Sequence, residues 1–287
     1  MISFLVTAFF SAILAQLLFG NEISQPGIMD DWSRADVLRL HKILQVVSHI
    51  GIFIIPALTF TWLVSNSSKK YLSFNNAKGK LWALLPIIIV GLLGLNNLLY
   101  MVNRSIDFSF ISADFQYNLE YNQALSDKKI DAFVGNTGLS FWVNLIVICI
   151  LPAIGEELTF RGVLQRIGID LTQSVYWGIT FSALIFAIIH WQPFNFLPIF
   201  VLGWIFGYIV YLSGSIWITM VLHFLNNLMG LIALHLSKSQ EIDLTLFNPI
   251  WSALLIMVSG LIVFKFFPKK EITPDEIVGI SNFEENN

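Results

Sequence analysis

The chain has 287 residues, 56% of them hydrophobic and 12% charged, with a net charge of −3. Ordinary soluble domains carry about 25% charged residues, so a mean hydropathy of +0.72 excludes such a fold and makes the lipid bilayer the solvent. The acidic balance excludes a nucleic-acid partner, which would need a concentrated basic surface, and the single cysteine, Cys149, excludes an internal disulfide or a cysteine-based zinc site.

In chain order, eight apolar runs approach the roughly 20 residues a membrane span needs. They are 2–19, 43–64, 81–103, 139–158, 174–191, 195–212, 215–236 and 249–267. They are too long and continuous for the alternating strands of a barrel. The expected fold class is therefore all-α, a polytopic membrane helix bundle of about eight transmembrane helices. The first run lacks the basic start of a signal peptide and reads as a span. Residues 20–42 read as a polar connection with room for a short interfacial helix, 66–80 as a basic loop, and 104–138 as the longest loop. That loop mixes acidic residues with Phe108, Phe110, Phe115, Tyr117 and Tyr121. The stretch after Pro268 reads as a mobile acidic tail. Three regions follow: 1–138, an N-terminal three-helix membrane region with a long polar loop; 139–236, a catalytic membrane helix core; and 237–287, the last span and tail. A slight excess of Lys and Arg on the side shared by both termini places them in the cytoplasm. The compact, short-looped design suits a bacterial cytoplasmic membrane.

Ionisable groups inside spans are costly and tend to face the bundle interior, so each is a functional candidate. GEELTFRG, directly after an apolar run, holds Glu156, Glu157 and Arg161. Glu157 and Arg161 are four apart and share a helix face in the favourable acid-first order. Glu156 points about 100° away, so the arginine can hold one carboxylate while the other acts as a base. FAIIH ends in His190, with Phe186 one turn before it. HFLNN carries His223 and Asn227 on one face, with Asn226 beside them. Taken singly, each cluster is also explained by charge at a helix end, an interfacial histidine or interhelical hydrogen bonding. One shared polar pocket explains all three together. Such a set can hydrolyse in two ways. Glu156 and His190 can activate water while His223 and Asn227 donate to the oxyanion. Alternatively, Glu156, His190 and His223 can ligate zinc or another divalent metal whose bound water is the nucleophile. The sequence leaves both open.

EExxxR, FxxxH and HxxxN, in that order on successive helices, resemble the motifs of the CPBP family. This is the CAAX-protease and bacteriocin-processing family of intramembrane proteases, also called the Abi or Rce1-like family. The resemblance covers about residues 140–232. It implies an eight-helix intramembrane endopeptidase with Glu156 as the catalytic glutamate, His190, His223 and Asn227 around it, and Glu157 and Arg161 as support. The expected partners are the bilayer and a protein or peptide precursor in or near it. The alternative is a non-enzymatic membrane sensor, scaffold or bacteriocin-immunity-type protein that keeps the polar core. A zincin is excluded by the lack of HExxH, and a transporter is disfavoured by the lack of half-to-half symmetry.

Geometry adds one requirement. If every span were simple, Glu156 and His190 would lie toward opposite membrane faces. A fourth helix running to about Gly168, near 45 Å long, puts Glu156 at mid-membrane. Gly203 and Gly207 form a GxxxG, which predicts close helix packing. Asn96 and Asn97 are expected to line a cavity or bond a neighbour, and Asn226 to bond a neighbouring helix. His41, His49 and His235 read as interfacial or packing residues, and Cys149 as a small buried hydrophobe.

Overall fold

A computed structural model of the chain describes residues 2–20, 27–134, 138–238 and 248–267. The expected acidic tail after Pro268 lies outside them. The described residues form helices joined by short turns, with one isolated bridge, Phe74 to Ser215, and no strand. The longer helices are α1 (Ile2–Phe19), α2 (Ala35–Val64), α3 (Gly79–Arg104), α4 (Ala113–Val134), α5 (Ser140–Thr172), α6 (Val175–Ile189), α7 (Phe196–Ser213), α8 (Ile216–Lys238) and α9 (Pro249–Phe266).

Among the described residues, six helical stretches are long and apolar enough to cross a membrane, and two shorter apolar helices, Thr7–Leu18 and Val175–Ile189, accompany them. The polytopic bundle stands, with the eight apolar runs appearing as six full-length helices and two short ones. Its main core packs Leu81, Leu85, Ile88 and Leu92 of α3 against Phe206 of α7 and Leu222 of α8.

The longest expected loop differs from the structure. Much of 104–138 is the 22-residue helix α4. Ser112 Oγ accepts the Phe115 N–H at 3.0 Å, a helix-starting cap. The pairs Gln116–Glu120 and Gln123–Asp127 then bond one turn apart along the helix. At its far end, Asn144 of α5 donates to the carbonyls of Phe133 and Val134. Local polar bonding, rather than an apolar stripe, makes this helix.

Helix α5 is 33 residues long, about 50 Å at 1.5 Å per residue. This exceeds a hydrocarbon core of about 30 Å and leaves Glu156 near its midpoint. The chain reverses at Gln173, which takes a left-handed conformation (φ 50°), and Ser174 caps α6 by accepting the Trp177 N–H. Gly168 and Gly178 let α5 and α6 touch: a Cβ at Gly168 would meet the Gly178 carbonyl at 3.0 Å. Counted from this turn, Glu156 lies about 24 Å back along α5 and His190 about 23 Å along α6. The length of α5 thus brings both to one level.

Candidate active site

Three π-helical turns frame the site: His49–Ile54 in α2, and Leu145–Ile150 and Leu158–Leu164 in α5. Such turns free backbone carbonyls and are frequent at functional sites. Proline accompanies two of them. Pro152 has no N–H to give the Ile148 carbonyl four residues back, and Asn227 Nδ2 donates to that carbonyl at 3.1 Å. In the π turn of α2, just before Pro56, the Phe53 carbonyl accepts from Thr159 Oγ1 at 2.9 Å. Ser182 Oγ similarly donates to the Phe160 carbonyl at 2.8 Å. Polar side chains thus bond a backbone carbonyl in each of the three π turns.

Glu157 and Arg161 form the supporting half. Arg161 Nη1 donates to Glu157 Oε1 at 2.6 Å and Nη2 to the Gly203 carbonyl at 3.2 Å. The guanidinium lies over the rings of Phe186 at 4.7 Å and Phe206 at 5.4 Å. Both charged groups are buried. Their pairing, the carbonyl bond and the ring faces offset the cost of removing charge from water. The GxxxG glycines admit this contact. A Cβ at Gly203 would meet Phe186 at 3.1 Å, and one at Gly207 would meet Gln165 Oε1 at 2.7 Å.

Glu156 occupies the other half. Its Oε2 lies 3.9 Å from His190 Nε2 and 3.7 Å from His223 Nε2. His190 Nδ1 meets the Phe186 carbonyl at 2.6 Å, and since a carbonyl only accepts, Nδ1 carries the hydrogen. His223 Nδ1 meets Glu157 Oε1 at 2.9 Å and donates to that carboxylate in the same way. Both rings therefore turn Nε2 toward Glu156. Phe186 packs beside both imidazoles, 4.5 Å from His190 and 6.2 Å from His223 by ring centroids. His190, with 25% of its side chain exposed against 6% for His223, is the accessible edge.

Glu156, Glu157, Arg161, His190 and His223 thus share one cluster. Asn227 reaches the wall of that cluster through Ile148, and its second amide hydrogen is not used by that bond. One residue was missed by sequence reasoning. His49, expected to be an interfacial or packing residue, sits in α2 with Nε2 3.3 Å from Glu156 Oε1. Its sequence signal was only that of an ionisable group inside an apolar run. His41 and His235 do pack, against Trp32 and Phe141 respectively. Asn226 does bond a neighbouring helix, accepting from Asn96 at 2.9 Å. Cys149 is free and buried.

A divalent ion is one candidate occupant of the site. The donor chemistry fits: His190 and His223 have Nδ1 tied to acceptors and Nε2 directed inward beside a carboxylate, the arrangement that orients metal-binding histidines. The spacing is wider than in a closed metal centre, and among the described residues no three His, Cys, Asp or Glu are gathered tightly enough to hold an ion as they stand.

The bundle is a multi-pass membrane protein with a buried polar site where two helices break. Its residues 138–229, about a third of the chain, match the family model described as Type II CAAX prenyl endopeptidase Rce1-like. That match supports assignment to the CPBP family of CAAX-type intramembrane proteases and points to a protease, a hydrolase of peptide bonds. No curated protein and no solved structure matches the chain.

Proposed function

We propose that the chain is an intramembrane endopeptidase that cleaves a membrane-associated protein or peptide precursor, with Glu156 as the general base. The observation that carries this reading is the placement of Glu156 Oε2 within 4 Å of two inward-facing imidazole nitrogens.

Water enters beside His190, the exposed member of the cluster. Glu156 Oε2 takes one proton of the water while His190 Nε2 orients it through the other. The resulting hydroxide attacks the peptide carbonyl carbon, and the carbonyl electron pair moves to oxygen. His223, when it carries a second proton, donates Nε2–H to that oxyanion, and Glu157 at Nδ1 balances the charge. The unused Asn227 amide hydrogen is the second donor. Collapse of the intermediate breaks the C–N bond, and the proton held by Glu156 passes to the leaving amine. Water and one peptide bond become one carboxylic acid and one amine. A zinc or other divalent ion, if held by Glu156, His190 and His223, would supply Lewis acidity to the same water. The substrate must be locally unwound, because a buried helix shields its peptide bonds with its own hydrogen bonds. The family's description makes peptides ending in a prenylated cysteine motif a substrate class to include.

The test uses full-length protein in detergent against a quenched peptide library containing both prenylated and plain members. Wild type is compared with Glu156→Ala, with and without a strong chelator. Glu156→Ala is expected to lose cleavage by about 100-fold or more while retaining its melting temperature to within a few degrees. Cleavage at the wild-type rate by Glu156→Ala sinks the proposal. Loss with chelator and recovery with zinc assigns the metal route. Indifference to chelator, with elemental analysis showing no bound metal, assigns the route that uses side chains alone.

A further inference from the structure

His49 lies in α2, far outside the residues that match the family model, yet its Nε2 stands 3.3 Å from Glu156 Oε1. Its ring is fixed on two sides. Nδ1 donates to the Gln45 carbonyl at 3.0 Å, and the ring packs 5.3 Å from Phe53 by centroids. The residue is buried, with 8% of its surface exposed. With Nδ1–H committed to a carbonyl, Nε2 is the only ring atom left for polar contact, and it is the atom that meets Glu156.

The approach of α2 to α5 is built from both helices. Gly155, immediately before Glu156, touches α2: a Cβ there would meet Phe53 Cβ and Ile54 Cγ1, each at 3.2 Å, with the His49 carbonyl at 3.6 Å. One turn further along α5, Thr159 Oγ1 donates to the Phe53 carbonyl at 2.9 Å. That carbonyl belongs to the π turn His49–Ile54. A glycine contact and a hydrogen bond therefore fix α2 against α5 on either side of Glu156, and the same π turn carries the imidazole.

The two oxygens of Glu156 consequently have different neighbours. Oε1 faces His49, while Oε2 faces His190 and His223. We propose that His49 is a positioning residue of the site: by engaging Oε1 it fixes the carboxylate's rotation and commits Oε2 to the reacting water. The N-terminal helices then form part of the active site, and residues 138–229 alone hold only part of it. This assignment deepens the proteolytic role proposed for Glu156 and rests on it for its kinetic readout.

The experiment compares wild type, His49→Leu and His49→Gln, all full-length in detergent, on the peptide cleaved best from the quenched library. His49→Leu is expected to lower kcat by about 100-fold with KM unchanged, the cost of a misplaced reacting group. His49→Gln, whose side-chain amide can bond Oε1 from a similar reach, is expected to recover at least part of that loss. Wild-type kcat in His49→Leu overturns the proposal. So does a rise in KM at constant kcat, which would make His49 a substrate contact.

A second measurement does not depend on cleavage. Melting temperatures of His49→Leu, Glu156→Leu and the double variant form a cycle. The double variant's loss is expected to fall short of the summed single losses by about 3 °C or more. Additive losses overturn the link between the two residues. Should wild type cleave no peptide, the proteolytic reading fails, and non-additivity in this cycle would still establish that His49 holds Glu156.

Discussion

Glu157 Oε1 is shared: it accepts from Arg161 Nη1 at 2.6 Å and from His223 Nδ1 at 2.9 Å. The ion pair along α5 therefore also sets the orientation of an imidazole on α8. Arg161 acts on the site through Glu157, which in turn fixes His223.

Removing one partner of this pair should cost more than removing both. Arg161→Leu leaves Glu157 as an uncompensated buried charge, a situation that typically destabilises by about 3–5 kcal/mol. The double variant Glu157→Leu/Arg161→Leu removes that charge and should melt above the single arginine variant in detergent. It should still cleave poorly, because His223 loses the acceptor for Nδ1–H. A double variant less stable than Arg161→Leu would show that the pair is net stabilising beyond charge balance.

Asn227 gives a prediction with a built-in rescue. Its Nδ2 serves the Ile148 carbonyl that Pro152 cannot. Asn227→Leu should destabilise by about 1–3 kcal/mol, the usual cost of orphaning a buried polar group. Adding Pro152→Ala restores a backbone N–H at that position and should return part of the lost melting temperature. It should not return activity if Asn227 also donates to the oxyanion. No stability gain from Pro152→Ala in the Asn227→Leu background would break the connection between the two residues.

The half-buried amide pair Asn96–Asn226, at 2.9 Å, joins α3 to α8. A cycle of Asn96→Leu and Asn226→Leu should give a coupling of about 0.6 kcal/mol and no more than about 1.7 kcal/mol, the range for hydrogen bonds between membrane helices. A coupling of zero would mean that each amide finds another partner when its mate is lost.

The features legible in the sequence were those written in local spacing. Glu157 and Arg161, or His223 and Asn227, are four apart and had to share a helix face. The length of α5 was legible because the levels of Glu156 and His190 required it. His49 was not legible in this way. It meets Glu156 across 107 positions, and no period or spacing relates a lone histidine in one apolar run to a glutamate in another. Helix α4 was missed for a different reason. Residues 113–134 lack an apolar stripe, so hydrophobic periodicity has nothing to detect, although Ser112 as a cap was a readable start signal. The π turns were not read from the sequence: Pro56 and Pro152 are signals of helix adjustment, but nothing in their spacing says which side chains serve the neighbouring carbonyls.

The α5–α6 contact offers the last test, because it sets the height of His190 against Glu156. A Cβ at Gly178 would collide with the backbone of Ile169, an obstacle that side-chain rotation cannot relieve. Gly178→Val should therefore push α6 away from α5 and destabilise by about 1–3 kcal/mol, the range for overpacking. Because His190 ends α6, cleavage should fall further than the loss of folded protein explains. Gly230→Ala is the matched control. A Cβ there meets nothing within 4 Å, and alanine favours a helix over glycine by about 1 kcal/mol. It should leave cleavage unchanged and the melting temperature equal or higher. If Gly178→Val cleaved at the wild-type rate per folded molecule, the helix contact would not determine the position of His190, and its height would have to be set by the turn at Gln173.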